Sequence, residues 1–190
     1  MIFRTDADLS RKSQLFLLSL LTGLFYINML LRVVLSPLLP LIEKDLGLTH
    51  SGAGSFFMMI ALGYATGLFG SGFVSARLSH RWTIVIASVA GGCFFGLIAV
   101  SQALWAIRLG LVFLGVASGL YLPSGMTMIT ASIRPDRWGK AIALHEFAPT
   151  LAFISAPLIV EGLLLFCRWQ EILILIGASS ASSPSSTRDF

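Results

Sequence analysis

Residues 14–39 read QLFLLSLLTGLFYINMLLRVVLSPLL, twenty-six positions whose only ionic side chain is Arg32. A helix rises about 1.5 Å per residue and the hydrocarbon core of a bilayer is about 30 Å thick, so this run is long enough to cross a membrane. Arg4, Arg11 and Lys12 precede it, as basic residues precede a secretory signal. The run is longer than a signal core and no small-x-small cleavage site follows, so the segment is expected to remain as a helix. Four further apolar windows follow at 53–75, 83–101, 105–129 and 141–166. A sixth begins at Trp169, reaches Ala178 and gives way to the polar stretch 179–190, which is expected to be a disordered Ser-rich tail.

Composition agrees. Of the 190 residues, 56% are hydrophobic and 12% charged, more apolar surface than a single globular core can hide. An open sheet would leave backbone groups unpaired in lipid, so the fold class is all-α: a membrane bundle of five complete helices and a partial sixth. The net charge of +4 is scattered between apolar runs rather than gathered on one face, which argues against nucleic acid as a partner. Arg4, Arg11, Lys12, Arg77, Arg81, Arg134, Arg137 and Lys140 fall in alternate connections, against Lys44, Arg108 and Arg168 in the others. The positive-inside rule therefore puts the amino terminus, residues 1–13, in the cytoplasm of a multi-pass protein of the plasma (inner) membrane.

Few residues carry chemistry. Cys93 and Cys167 are too far apart for a metal motif and are expected to pack as small hydrophobes. No nucleophile elbow, HExxH or P-loop occurs, so no catalytic residue, metal or cofactor is called for, and an enzyme has no support. Gly63-x-x-x-Gly67, followed by Gly70 and Gly72, and Gly115-x-x-x-Gly119 place small residues along one helix face, suited either to static packing or to a sliding interface. A central Arg in a span costs about 2.5–3.5 kcal/mol on insertion scales. Arg32 either snorkels to the outer interface or faces a cavity and pairs with an anionic substrate. Pro37 and Pro40 bend or end the same helix. His145 and Glu146, near the start of the fifth span, are either a proton-coupling pair or interfacial groups in solvent, as is Glu161 near its end.

The segment Gly72-Phe73-Val74-Ser75-Ala76-Arg77-Leu78-Ser79-His80-Arg81 resembles the signature loop of the major facilitator superfamily, Gly-x-Leu-Ala-Asp-Arg-x-Gly-Arg-Arg. Gly72, Arg77 and Arg81 match. Ala76 stands where that family has an Asp of its cytoplasmic gating network, and Ser79 and His80 stand where Gly and Arg are usual. Ala152-x-x-x-Ala156-Pro157 is similar to the fifth-span Gly-x-x-x-Gly-Pro motif, which adds Pro157 to the helix-packing residues, and Trp169 is similar to the Trp that opens the sixth helix. Arg108 lies seven residues before Gly115, so the fourth-span pattern is not reproduced. The resemblance covers residues 14–178 and is to an amino-terminal half. Arg32, Pro40 and Asp45-Leu46-Gly47-Leu48-Thr49 resemble the organic-anion and phosphate-ester branches, whose first-helix Arg contacts the anion.

The resemblance implies alternating-access transport of a small solute, an organic or phosphate-containing anion, with substrate held at the midplane between two six-helix halves. Because residues 14–178 correspond to less than one half, the alternative is a truncated, non-transporting remnant or a subunit that needs another copy or a separate carboxy-terminal half.

Overall fold

The apolar runs become helices because lipid offers backbone groups no hydrogen-bond partner outside the segment itself. The computed structural model describes residues 11–182, and all regular structure among them is helical: α1 (Arg11–Val33), α2 (Leu35–Leu46), α3 (His50–Val100), α4 (Leu104–Ser132), a 3-10 turn (Pro135–Arg137), α5 (Trp138–Leu164) and α6 (Trp169–Ser182).

Pro37 cannot donate to the carbonyl of residue 33 and crowds it, and the chain breaks there: Val34 separates α1 from α2. The break is mild. Val34 stays right-handed helical and its N–H still reaches the Leu30 carbonyl at 3.0 Å, so the prolines bend the first span rather than end it. Its end comes at Gly47, whose φ of 62° is left-handed, with the N–H groups of Gly47 and Leu48 both returning to the Glu43 carbonyl. The next helix starts on the Thr49 hydroxyl, which accepts from the Gly52 N–H at 3.1 Å.

At 51 residues α3 is far longer than a bilayer requires, and at Ser79 (φ 66°, ψ 156°) it leaves helical geometry. The contacts of its two parts with α4 reveal a reversal. In the first part, Gly63 meets Gly115 and Gly67 lies beside Val116, so the chain runs parallel to α4. In the second, Ile98 packs on Gly110, Phe94 stacks on Phe113 and His80 reaches Ser124, so it runs antiparallel. The connection expected between the second and third spans, including Arg77 and Arg81, is thus helical on both sides of one turning residue. The four helices long and apolar enough to cross a membrane hold five spans, because α3 contributes two.

The sixth helix also departs from expectation. It continues past Ala178 to Ser182, so residues 179–182 are helical rather than part of a disordered tail; 183–190 lie outside the described residues. Serine is tolerated because its hydroxyl bonds backbone carbonyls: Ser179 donates to Ile176 at 2.7 Å and buried Ser180 donates across to Ser88 at 2.9 Å. Gly92 lets α6 approach, since a Cβ there would fall on the Gly177 carbonyl and 3.0 Å from the Ala181 nitrogen.

Two apolar clusters fill the bundle. Leu38, Phe56, Phe95, Leu111 and Ile172 centre one; Leu21, Phe25, Ile84, Tyr121 and Ile129 centre the other, toward the end that holds the start of α1, Ser79 and the 3-10 turn. Outward, the side chains are apolar too: Phe69 is 89% exposed and Phe166 85%, the reverse of a water-facing surface. Trp82 and Trp138 lie outward at one end of the bundle and Trp105 at the other, as aromatic belts at two interfaces do, whereas Trp169 at the Trp105 end is buried. Cys93 is exposed and Cys167 half-buried, so the expectation of two packed thiols holds poorly for Cys93, which points away from the bundle.

Candidate functional site

Arg32 lies in the last turn of α1, and its guanidinium turns inward. Its Cζ sits 4.4 Å from the centroid of the Tyr64 ring on α3, a cation–π arrangement, and Nη2 donates to the Met29 sulfur at 3.4 Å. Nε is buried without a hydrogen-bond partner, and no carboxylate lies within ion-pair distance among the described residues. Beside it is a hollow of about 510 Å3 between α1, α2, α3 and α5, walled by Val33, Phe57, Ile60 and Phe153. Pro157 lies at this hollow, exposed, whereas the packed face of α5 is carried by fully buried Ala152 and Ala156. One turn below Arg32, Asn28 is 4% exposed and its Oδ1 is also without a partner among the described residues.

A second polar group sits deeper toward the α1 start. His145 on α5 is fully buried, stacked on Phe25 of α1 at 4.5 Å between centroids, and Tyr121 of α4 lies parallel to both rings, 5.3 Å from Phe25 and 6.1 Å from His145. Tyr121 Oη donates to the Leu21 carbonyl at 2.6 Å and lies 3.4 Å from His145 Nε2. A phenol has one proton, already used on Leu21, so in this arrangement Nε2 is the donor toward Oη. Nδ1 lies 3.4 Å from Glu146 Oε1, and Glu146 is exposed. With the Nε2–H used on Tyr121, a hydrogen bond between these two atoms takes a second proton, on Nδ1 or on the carboxyl; in the other neutral tautomer Nδ1–H donates to Glu146 and Nε2 is left without a donor.

The other residues singled out from sequence fall elsewhere. Gly63 and Gly67 abut Gly115 and Gly119 where α3 crosses α4, while Gly70 and Gly72 face open space. Arg77 is exposed with its guanidinium 4.2 Å over the Phe73 ring, and Arg81 is half-buried beside Leu17, Leu20 and Met128. Arg108 lies in the second turn of α4 with a buried Nε that has no partner among the described residues. Glu161 is exposed. At the Gly47 end, Asp45 Oδ2 accepts from Trp169 Nε1 and from Gln170 Nε2, each at 3.0 Å, which ties α2 to α6. Tyr64, Asn28, Tyr121 and Phe25 were not singled out from sequence. Their signal is partnership between spans, which no spacing along one helix encodes.

The sequence pattern of the Major Facilitator Superfamily matches residues 16–183. The chain belongs to that superfamily. Among curated relatives of this Major Facilitator Superfamily chain, the human solute carrier family 2, facilitated glucose transporter member 6, is 28% identical over 74% of the chain and 28% of its own length. A probable sulfoacetate transporter of Cupriavidus necator is 24% identical over 89% of the chain and 39% of its own length. The hexuronate transporter of Bacillus subtilis is 26% identical over 79% and 36%. The chain therefore spans between about a quarter and two fifths of these relatives. In fold it is similar to a bacterial homologue of the human lysosomal transporter Spinster, solved inward-facing and unoccupied, with a TM-score of 0.82 at 16% identity over 93% of this chain and 43% of that one. A superfamily chain of this composition and fold is an integral, multi-pass membrane protein.

Proposed function

We propose that the chain carries the anion-binding wall of an alternating-access transporter for a small organic or phosphate-containing anion. The observation that carries this reading is Arg32: a guanidinium between helices, on a hollow, with a buried unpartnered Nε and no protein carboxylate in reach among the described residues. A cation within a membrane bundle needs compensation, and a planar fork suits carboxylate, sulfonate or phosphate oxygens. Tyr64 holds the fork by its face and Met29 takes Nη2, while the Nε edge has no partner among the described residues. Two of the three relatives described above are named for anions, sulfoacetate and hexuronate, which favours this class over a neutral sugar.

Protonation of the His145–Glu146 pair is the coupling event in this reading. The imidazole reaches Tyr121 and, through it, the Leu21 carbonyl of the helix that carries Arg32, so its protonation state is felt on α1. Gly72, Arg77 and Arg81 around the Ser79 turn form the gating segment. Concentration of basic residues at the end shared by the α1 start, Ser79 and the 3-10 turn supports a cytoplasmic amino terminus in the plasma membrane.

The test is binding and uptake of a panel of sulfonates, uronates, phosphate esters and neutral hexoses by the full chain in proteoliposomes. Arg32→Gln is expected to weaken anion binding by about 10- to 150-fold, the value of a hydrogen bond to a charged group, and to leave the response to hexoses unchanged. Equal anion binding by Arg32→Gln would remove Arg32 as the ligand.

A further inference from the structure

A second hollow, of about 470 Å3, lies at the opposite end of the α1–α5 groove from Arg32. Three cations surround its mouth: Arg11 at the first turn of α1, Arg137 in the 3-10 turn and Lys140 in the first turn of α5. No acid lines it. Asp136 lies 3.9 Å from Arg137 but closer to Arg134, at 3.3 Å, and is not part of the wall. Apart from buried Gln14, the inner wall is apolar and includes Leu15, Leu18 and Leu144, of which Leu15 is 59% and Leu144 49% exposed.

The order of these groups along the helices identifies the ligand. On α1, Leu15 and Leu18 lie about 6 and 10 Å inward of Arg11; on α5, Leu144 lies about 6 Å inward of Lys140. Both helices thus run from cation to exposed leucine in the same direction, away from the bundle end and into the apolar zone. A free phosphate would use the cations and leave the leucines bare. A phospholipid uses both, with its phosphate among the three cations and the upper part of an acyl chain along Leu15 and Leu144. We infer that this groove is a binding site for an anionic phospholipid, its headgroup phosphate held by Arg11, Arg137 and Lys140. Each cation near an anionic headgroup contributes, and together the three are expected to raise affinity by about 100-fold over a neutral lipid.

The experiment places the full chain in phosphatidylcholine vesicles doped with a photoactivatable phosphatidylglycerol and maps the cross-linked residues. Label is expected on 11–18 and 137–144, to fall by about 100-fold when Arg11, Arg137 and Lys140 are all changed to Gln, and to persist when Lys12, Arg77 and Arg134 at the same bundle end are changed instead. Equal loss in both triple variants would mean diffuse surface attraction and overturn the site. Should the first triple variant fail to insert, the wild-type map decides, since label spread evenly over outward residues also overturns it. Protection from labelling by inorganic phosphate added before irradiation, as effective as that by short-chain phosphatidylglycerol, would assign the cations to a soluble anion and refute the lipid.

Discussion

Replacing Gly115 with alanine tests the crossing of α3 and α4. A Cβ at Gly115 would fall on the Ile60 carbonyl oxygen, 2.8 Å from the Tyr64 nitrogen and 3.0 Å from the Gly63 Cα. All three are backbone atoms, so no rotamer change relieves the clash and the helices must separate. Insertion of a methyl into packed surroundings destabilises by about 1–3 kcal/mol, a shift of about 5- to 150-fold in the unfolding equilibrium. Gly70 and Gly96 meet nothing within 4 Å, so their alanine variants are the controls, expected to stay within about 1 kcal/mol of the parent or above it because alanine favours helix. Adding Gly119→Ala to Gly115→Ala should cost less than the sum, the first methyl having already parted the helices. The assay is reversible unfolding in mixed detergent micelles, followed by helical signal as the denaturing detergent fraction rises. If Gly115→Ala proves as stable as Gly70→Ala, the helices do not cross at these glycines and the reasoning fails.

Two other changes read separate features. Ser79 occupies a backbone region that L side chains rarely adopt, costing about 1–3 kcal/mol, so Ser79→Gly should stabilise the chain by up to about 2 kcal/mol after the greater freedom of unfolded glycine is subtracted. The same unfolding assay checks it, and a loss of stability would contradict the turn at this residue. Tyr121→Phe removes the donor to Leu21 and strands His145 Nε2, expected to destabilise by about 1–3 kcal/mol. With His145→Phe added, the two effects should fall short of additive, and strict additivity would show that the two side chains do not interact.

Hydropathy made the spans legible because lipid imposes a length and an apolar surface on each. Their ends were less so. Ser179, Ser180 and Ser182 look like a tail by composition, yet hydroxyls that bond their own or a neighbouring helix's carbonyls let α6 continue. The segment around Arg77 was read as a loop because its charges demand an aqueous end, a demand met equally by two helices meeting at one residue. Ser79 stands where the superfamily's loop has glycine and has the φ of 66° that glycine tolerates best, so the sequence comparison marked the turning residue without showing how short the turn is. Arg32 stood out as a charge in an apolar run, but its stacking on Tyr64 depends on how α1 lies against α3. His145 was visible for the same reason, whereas the convergence of Phe25, Tyr121 and His145 from three helices was not.

The glycine seam lays the first half of α3 on α4 backbone to backbone, the second half packs on α4 through Ile98, Phe94 and His80, and α6 is fastened alongside through Gly92 and Ser180, so these helices form a stiff beam. The α1–α5 pair is built differently. Its helices pack chiefly on one another, and the polar ties to the beam are few, the Tyr121 bond to Leu21 foremost. Arg32, His145 and the basic groove all ride on that lighter pair, so the residues proposed to meet solute, proton and lipid sit on the part of the bundle with the least to break in order to move.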